Sequence, residues 1–490
     1  MIKNIKWLFL VSLTFIACND DEIVTYDTAD GLPLTAGTAN FAKYVALGDS
    51  FAAGFSDGAL FVEGQKGAYP NILAQQFALV GGGEFTTPLM ADNTGGFTGG
   101  DSAFGPRLAV FGFNPDKTPI IKSALGTITT NPNTILTGAF NNMGIPGAKS
   151  IHLDYSGYGS GAGNPYFTRF ASSPTATVVD DALAQNPTFF SLWIGGNDVL
   201  GYARNGGVPT SQDAVLGDDI TLPATFAYVY NSMITKLIAG GRKGVVANLP
   251  YVTTLPYFKT VPYNPVPLDA ATITLLMNTT TGYGKYNVGL QYALANNLIT
   301  SAEAARRTIA FTAVSGNKVV IEDSYLTDLT NYGIPSYRQT TPEDLIVLPA
   351  SSFIGTLVGG NPLLVNGVSV PLTDKWVLSK DEILELKTAT DAYNGIIQAA
   401  ATANDLAFVD AKAVMDELST TGITANNFTL NASYVSGGAF SLDGIHPSPR
   451  GYALIANKFI KAINAKYGSN LSGVNLGDYR ILFPRNAADF

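Results

Sequence analysis

Three short motifs carry side chains whose types and spacing suit nucleophilic chemistry. The first is GDSFAAG at positions 48–54, directly after an apolar run. Ser50, flanked by small residues at the end of a strand, can expose its hydroxyl and its backbone N–H in a crevice. Because Gly-Asp-Ser also forms ordinary turns through the Asp side chain, a purely structural turn is the alternative for this motif.

The second motif is GGND at positions 195–198, at the end of another apolar run. Its two glycines let the backbone approach a substrate closely, and the amide of Asn197 offers a donor without charge. A neutral donor of this kind suits the oxyanion that develops during acyl transfer. The alternative is a tight turn that leaves a strand.

The third motif is DGIHP at positions 443–447, just before the last helical pattern. A carboxylate at Asp443 can fold back to accept the ring N–H of His446. That contact would fix the tautomer and stabilise the imidazolium while the other ring nitrogen faces a serine. A loop with an exposed histidine at the start of a helix is the alternative.

The pattern of apolar residues predicts the strands and helices that would position these motifs. Runs that are apolar throughout suit strands buried on both faces of a parallel sheet. They occur at 44–47, 189–194, 244–249 and 406–409. Helical patterns occur at 69–80, 178–184, 225–239, 382–403 and 448–467. This alternation predicts an α/β fold with helices on both faces and sites at the carboxyl ends of the strands.

The rest of the chain predicts additions to this core, which covers 41–256 and 400–466. Residues 81–136 are rich in Gly, Thr, Asn and Pro, and predict a loop insertion with little regular structure. Residues 257–399 predict an insertion or lid-like lobe, then a helix that returns to the core. A stability element remote from the chemistry is the equal alternative for that insertion. Residues 467–490 are expected to form a C-terminal tail.

Together, the three motifs resemble the blocks of the GDSL, or SGNH, hydrolase family. Those blocks are Gly-Asp-Ser near the N-terminus, Gly-x-Asn-Asp in the middle and Asp-x-x-His near the C-terminus. Phe51 stands where the family has the leucine of its name. The resemblance covers the core ranges given above. It implies a flavodoxin-like three-layer α/β/α sandwich with a mostly parallel sheet, enlarged here by long insertions.

The same resemblance implies a serine hydrolase that cleaves ester bonds through an acyl-enzyme. Ser50 would be the nucleophile, His446 the general base, and Asp443 the carboxylate that orients the imidazole. This chemistry requires no metal and no cofactor, and its expected partner is an ester substrate, either a lipid or an acylated carbohydrate.

The resemblance also implies an oxyanion hole of three donors. These are the Ser50 N–H, the Asn197 side chain and the N–H of a glycine from a further family block. The segment NMGIPG at 142–147 loosely resembles that block. Gly147 is the better match in it and Gly144 is the alternative.

Composition excludes several other classes of function. The chain has 29 Lys and Arg against 38 Asp and Glu, and no basic run, so no nucleic-acid partner is expected. One cysteine and two distant histidines exclude Cys-based metal sites and a His-Glu-x-x-His zinc site. His152 is the only rival base, and we expect a loop histidine because no nucleophile motif lies nearby. We expect Asp49 and Asp198 to be turn-formers.

The N-terminus predicts export and a lipid anchor. Residues 1–17 have two lysines followed by an apolar run from Trp7 to Ala17, which is typical of a signal peptide and too short to span a membrane. Cys18 directly follows, in a segment similar to the lipobox of bacterial lipoproteins. An ordinary signal peptide with an incidental cysteine is the alternative. We expect a polar linker over 18–40 and an outer-membrane lipoprotein of the bacterial envelope, attached to the membrane only through this anchor.

Three functions are compatible with these residues. An ester hydrolase of the esterase or lipase type is favoured. A carbohydrate O-deacetylase would use the same side chains on a smaller acyl group, and a non-catalytic surface binding lipoprotein would have kept only the fold. The aromatic stretch 155–170 could line an acyl or sugar site, or equally form a packed surface loop.

Overall fold

The computed structural model describes residues 33–490 apart from positions 101, 214 and 314. The predicted signal peptide, Cys18 and most of the predicted linker lie outside the described residues. The strands are β1 (Tyr44–Gly48), β2 (Leu108–Phe113), β3 (Pro119–Ser123), β4 (Asn142–Gly144), β5 (Phe189–Trp193), β6 (Lys243–Ala247), β7 (Val320–Glu322), β8 (Tyr337–Gln339), β9 (Leu345–Ile346), β10 (Val377–Leu378), β11 (Ala407–Val409), β12 (Ile423–Ala425) and β13 (Phe428–Leu430).

The α-helices are α1 (Ser50–Ala53), α2 (Val62–Lys66), α3 (Tyr69–Ala78), α4 (Pro165–Thr168), α5 (Val178–Ala184), α6 (Asn197–Arg204), α7 (Pro223–Ile238), α8 (Pro256–Lys259), α9 (Ala270–Leu276), α10 (Tyr283–Ala295), α11 (Ser301–Arg307), α12 (Lys380–Ala403), α13 (Ala411–Thr420) and α14 (Pro449–Tyr467). Short 3-10 helices cover Ser102–Phe104, Ser150–Asp154, Val252–Thr254, Thr330–Tyr332, Leu348–Ser352, Val358–Gly360, Asp374–Trp376 and Leu476–Asp478. None of the helices among the described residues is both long and apolar enough to cross a bilayer.

A five-stranded parallel sheet forms the centre of the molecule, in the order β4-β1-β5-β6-β11. By position in the chain this order is 2-1-3-4-5, which is the flavodoxin-like arrangement. Every residue of β1 and β5 is buried, as expected for strands covered on both faces. The predicted fold class is therefore confirmed.

Helices cover both faces of this sheet. α3 and α14 pack against each other on one face, while α5, α7 and α12 pack together on the other. α14 starts where Ser448 caps it by accepting a hydrogen bond from the Gly451 N–H. Tyr452, Phe459 and Ile463 lie on its buried face, at helical spacing. The helix that follows the DGIHP motif is therefore anchored in the core.

The strand at one edge of the sheet is not among the four strands that the apolar runs predicted. Asn142–Gly144 forms β4 and pairs with the end of β1. Three residues are too few for an apolar run to be recognised in the sequence. Gly144 is required there because a Cβ would overlap the backbone of Ala53, in the helix that follows β1.

The segment 81–136 also contains more regular structure than predicted. β2 and β3 form an antiparallel hairpin within it. The remaining loop is organised by the carboxylate of Asp92, which accepts hydrogen bonds from Thr94, Gly95 and Thr129. A polar loop can thus be held by one carboxylate, without an apolar period that a sequence pattern would reveal.

The insertion between α8 and α12 is a lobe of short helices and two-stranded sheets. Its interior contains Arg338, which is 1% exposed and forms ion pairs with Asp323 and Asp344. The lobe reaches the DGIHP loop, because Leu348 lies against Gly444. α12 follows the lobe and packs on α7.

Both ends of the described chain pack on the core. Thr38, within the segment assigned to the linker, donates a backbone hydrogen bond to the carbonyl of Tyr467. Near the C-terminus, the rings of Phe483 and Phe490 lie over the guanidinium of the fully buried Arg107. The segment expected to be a tail therefore covers a buried cation.

Candidate active site

Ser50 lies at the carboxyl end of β1, as the first residue of α1. Asp49 caps that helix, since its Oδ1 accepts a hydrogen bond of 2.9 Å from the Phe51 N–H. Gly48 is required at the preceding position because a Cβ would lie 2.6 Å from the carbonyl oxygen of Trp193 on β5. The strand end and the short helix together hold the hydroxyl at the carboxyl edge of the sheet.

The DGIHP loop brings an imidazole to this hydroxyl. His446 Nε2 lies 2.8 Å from Ser50 Oγ, and His446 Nδ1 lies 2.8 Å from Asp443 Oδ2. The other oxygen of Asp443 accepts the backbone N–H groups of Ile445 and His446, each at 2.8 Å. Gly444, at φ 71°, supplies the left-handed turn that this fold-back needs. Three side chains from two ends of the chain thus form one hydrogen-bonded line.

The electrostatics of the loop keep Asp443 ionised. Burial by itself would raise the pKa of this carboxyl, but attraction to His446 and the hydrogen bonds from the loop lower the pKa to about 2. A permanent negative charge on Asp443 stabilises an imidazolium at His446 whenever the ring accepts a proton.

Backbone and amide donors lie on the other side of Ser50. Asn197 starts α6, and its Nδ2 donates one hydrogen bond of 2.9 Å to the carbonyl of Ala148. A primary amide has two N–H groups, so one remains for a ligand. Among the described residues, the N–H groups of Ser50 and Gly147 have no hydrogen-bond partner.

The structure distinguishes the two glycines considered for this side of the site. The Gly144 N–H donates to Asn142 Oδ1 at 3.0 Å within β4, so it is already used. Gly147 has φ 81° in the turn that follows β4, and a Cβ there would meet only Asn164 Nδ2, at 4.0 Å. Asp198 holds this turn toward α6, because its carboxylate accepts the N–H and hydroxyl of Ser150 at 2.8 and 2.7 Å. These contacts favour Gly147.

His152 is not in contact with the nucleophile. Its Nδ1 accepts the Lys149 N–H at 2.9 Å, and its Nε2 lies 2.6 Å from the carbonyl oxygen of Val215. The ring also stacks on Tyr158, with 4.5 Å between centroids. Both ring nitrogens are occupied by the backbone, which fits the expected loop histidine.

Sequence reasoning missed the hydrogen bonds that hold Asp443 and its loop against the turn at Asp57 and Gly58. The Gly58 N–H donates to Asp443 Oδ2 at 2.9 Å, and Ser441 Oγ donates to Asp443 Oδ1 at 3.1 Å. Asp57 donates its N–H to that Ser441 hydroxyl, and its Oδ1 accepts the Leu442 N–H, both at 2.9 Å. The turn follows the first motif closely, but no local signal links it to position 443.

Asp57 is an unusual neighbour for the triad carboxylate. It is 2% exposed, and its Oδ2 has no hydrogen-bond partner among the described residues. Burial, and to a smaller extent the negative charge of Asp443, raise the pKa of Asp57 to about 7. The buried carboxyl of Asp57, which titrates within the neutral range, therefore lies beside the loop that holds the ionised carboxylate of Asp443.

A mainly apolar cleft opens at Ser50, beside Asn197. Its apolar lining comes from Phe51, Trp193, Leu200, Leu249, Pro250, Val252, Leu255 and Ile445. The aromatic stretch 155–170 does not line this cleft. Its residue Phe167 is fully buried, which corresponds to the packed alternative for that stretch. Within the described part of the chain, no cluster of three His, Cys, Asp or Glu side chains could hold a metal ion.

Comparison with solved structures gives matches of low identity and low TM-score. A variant of Axe2, an acetyl-xylooligosaccharide esterase from Geobacillus, superposes with a TM-score of 0.35 and 11% identity, over 87% of this chain and 96% of that chain. An alpha/beta hydrolase enzyme from the metagenome of Lake Arreo, Spain, gives a TM-score of 0.33 and 11% identity, over the same shares. No curated protein sequence matches the chain.

The family model described as GDSL-like Lipase/Acylhydrolase matches residues 44–459. This range is most of the chain and contains all three motifs, two of which form the hydrogen-bonded line of Ser50, His446 and Asp443. The protein therefore belongs to the GDSL-like lipase/acylhydrolase family and is an enzyme that hydrolyses ester bonds.

Proposed function

We propose that Ser50, His446 and Asp443 hydrolyse carboxylic esters through a covalent acyl-enzyme. The observation that carries the proposal is the pair of 2.8 Å contacts on either side of the imidazole. Such a line gives each group the partner that its role needs, a base for the hydroxyl and an anion for the base.

The first half-reaction forms the acyl-enzyme. Ser50 Oγ attacks the ester carbonyl while His446 Nε2 takes its proton, and Asp443 stabilises the imidazolium. The N–H groups of Ser50 and Gly147 and the free N–H of Asn197 bind the oxyanion. When the tetrahedral intermediate collapses, His446 returns the proton to the departing alcohol.

The second half-reaction releases the acid. Water enters where the alcohol left, His446 accepts its proton, and the hydroxide attacks the acyl carbonyl. Collapse of the second intermediate returns the proton to Ser50 Oγ. Side chains and backbone of this chain account for each proton and charge, so the proposal includes no cofactor and no metal.

The experiment combines active-site labelling with turnover. Wild-type protein should react with a fluorophosphonate and hydrolyse 4-nitrophenyl acetate, and Ser50→Ala should lose both, with turnover lower by about 10⁴-fold or more. Ser301→Ala, at an exposed serine that starts α11, is the matched control and should behave as the wild type. Equal labelling of the wild type and Ser50→Ala would refute the proposal.

A carbohydrate O-deacetylase remains the second candidate because it would use the same triad on acetyl groups. Acetylated oligosaccharides tested beside simple esters distinguish the two functions. The apolar lining of the cleft supports the simple or lipid ester, because a sugar needs hydrogen-bond partners when it leaves water.

We also propose that Cys18 is acylated and attaches the enzyme to the outer membrane of the bacterial envelope, with the catalytic part exposed at the surface. The support is the short apolar signal segment that stops at this cysteine, followed by an acidic tether. Metabolic labelling with palmitate should mark the wild type, whereas Cys18→Ala should be unlabelled and leave the membrane fraction. Membrane retention of unlabelled Cys18→Ala would contradict the anchor.

A further inference from the structure

We propose that an apolar chamber between α13 and α14 binds the acyl chain of the substrate beyond its first carbons. The proposal rests on the function proposed for Ser50 and names the substrate class, which is esters of acids longer than acetate. The chamber is a cavity of about 60 Å³ that is partly open to solvent.

The chamber has almost no polar character. Val414, Met415 and Leu418 line it from α13, and Leu454 and Phe459 line it from α14. Lys458 is the only charged residue in its lining. A sugar or a charged group placed there would lose water without gaining hydrogen bonds, so the ligand that suits the chamber is a hydrocarbon chain.

The chamber adjoins the catalytic cleft and has wall residues in common with it. Phe51, Trp193, Pro250 and Leu255 line both spaces. Phe51 directly follows the nucleophile and is half-buried, and its ring centroid lies 5.1 Å from that of Trp193. The polar atom of Trp193, Nε1, donates to the carbonyl of Asn248 at 3.0 Å, so the wall offers only carbon to a ligand.

The acyl part of the ester suits this chamber better than the alcohol part. The acyl group stays attached to Ser50 through both half-reactions. The alcohol must leave so that water can reach His446. A chain that stays in place gains from an enclosed apolar wall, whereas enclosure would slow the departure of a leaving group. We therefore place the acyl chain past Phe51, which lines both spaces, with its far end in the chamber.

The first test is a series of 4-nitrophenyl esters from acetate to dodecanoate. Each methylene that enters the chamber should raise kcat/KM about fourfold, which corresponds to about 0.8 kcal/mol per buried methylene. The rise should stop at the length that fills the chamber. A kcat/KM that is flat or falls beyond acetate, in an enzyme that hydrolyses acetate and is labelled at Ser50, would overturn the chamber and leave the proposed function standing.

The second test fills the chamber with a side chain. Val414 on α13 and Ile455 on α14 line the chamber and are half-buried. An indole ring can therefore replace either side chain without rebuilding the core. Val414→Trp and Ile455→Trp should each lower the octanoate-to-acetate ratio of kcat/KM more than tenfold. Val288→Trp, at a residue that is 60% exposed on α10, is the matched control and should keep the wild-type ratio. Thermal melts of each variant separate a blocked chamber from a damaged fold.

A third arm varies the alcohol rather than the acid. For acetates of increasingly long alcohols, kcat/KM should depend on alcohol length in the same way in the wild type and in Val414→Trp. If Val414→Trp weakens that dependence, the chamber binds the leaving group and the assignment to the acyl chain is wrong. If the protein hydrolyses no ester in any arm and is not labelled by the fluorophosphonate, both the proposed function and the chamber are refuted.

Discussion

The variant Asp57→Asn tests whether the buried carboxyl beside the triad titrates in the neutral range. The pKa of Asp57 rises from 3.8 to about 7 because it is buried and faces the negative charge of Asp443. The unfolded chain loses this proton near the lower value and the folded chain near the higher one. Between them the folded state binds more protons, so stability falls as the pH rises through this window.

The size of the effect follows from the two pKa values. At about 1.4 kcal/mol for each tenfold difference in proton affinity, ionised Asp57 destabilises the fold above neutral pH by up to about 4 kcal/mol. Asparagine removes the titration and keeps an oxygen for the Leu442 N–H. Its amino group takes the place of the partnerless Oδ2, which costs about 1–3 kcal/mol at every pH.

The assay is urea unfolding at pH 5 and pH 8, followed by tryptophan fluorescence. We expect the wild type to lose about 2–4 kcal/mol more than Asp57→Asn between the two pH values. Asp180→Asn, at an exposed carboxylate on α5, should keep the wild-type pH dependence. The same pH dependence in Asp57→Asn and in the wild type would show that this carboxyl does not titrate in the neutral range, and would refute the reasoning.

Four further variants test the rest of the site. Asp443→Asn should lower kcat about 10⁴-fold with little change in KM, because the imidazole loses its anion and its tautomer control; a loss below tenfold in steady-state kinetics would contradict this. Asn197→Ala should lower kcat by about 10²–10³-fold, and unchanged turnover would remove it from the oxyanion hole. Gly144→Ala should fail to fold or have a much lower melting temperature, because its Cβ would overlap Ala53. Gly147→Ala should fold, with about 1 kcal/mol of backbone strain and a reduced kcat.

The elements that carry a strong local signal could be predicted from the sequence. β1 and β5 are apolar throughout because both faces are covered, and α5 was predicted with the bounds observed in the structure. The helix after the DGIHP motif has both its period and its start signals in the sequence. These are short-range patterns that do not depend on what the element packs against.

The features that the sequence could not predict depend on contacts between distant positions. β4 is three residues long, and only its pairing with β1 makes it a strand. Asp57 and Gly58 contact the loop around Asp443 across 385 positions, and nothing in their local sequence distinguishes them from an ordinary turn. The chamber has the same origin, since its walls come from the first motif, from β11 and from two separate helices.

The most direct measurement is to trap the acyl-enzyme and locate the acyl group. Wild-type protein mixed with 4-nitrophenyl octanoate, quenched in acid within milliseconds and digested, should yield one peptide that carries the octanoyl mass on Ser50. His446→Ala should yield none on that timescale, because the hydroxyl has lost its base. An octanoyl group on another residue, or turnover in the wild type with no acylated peptide, would contradict the account.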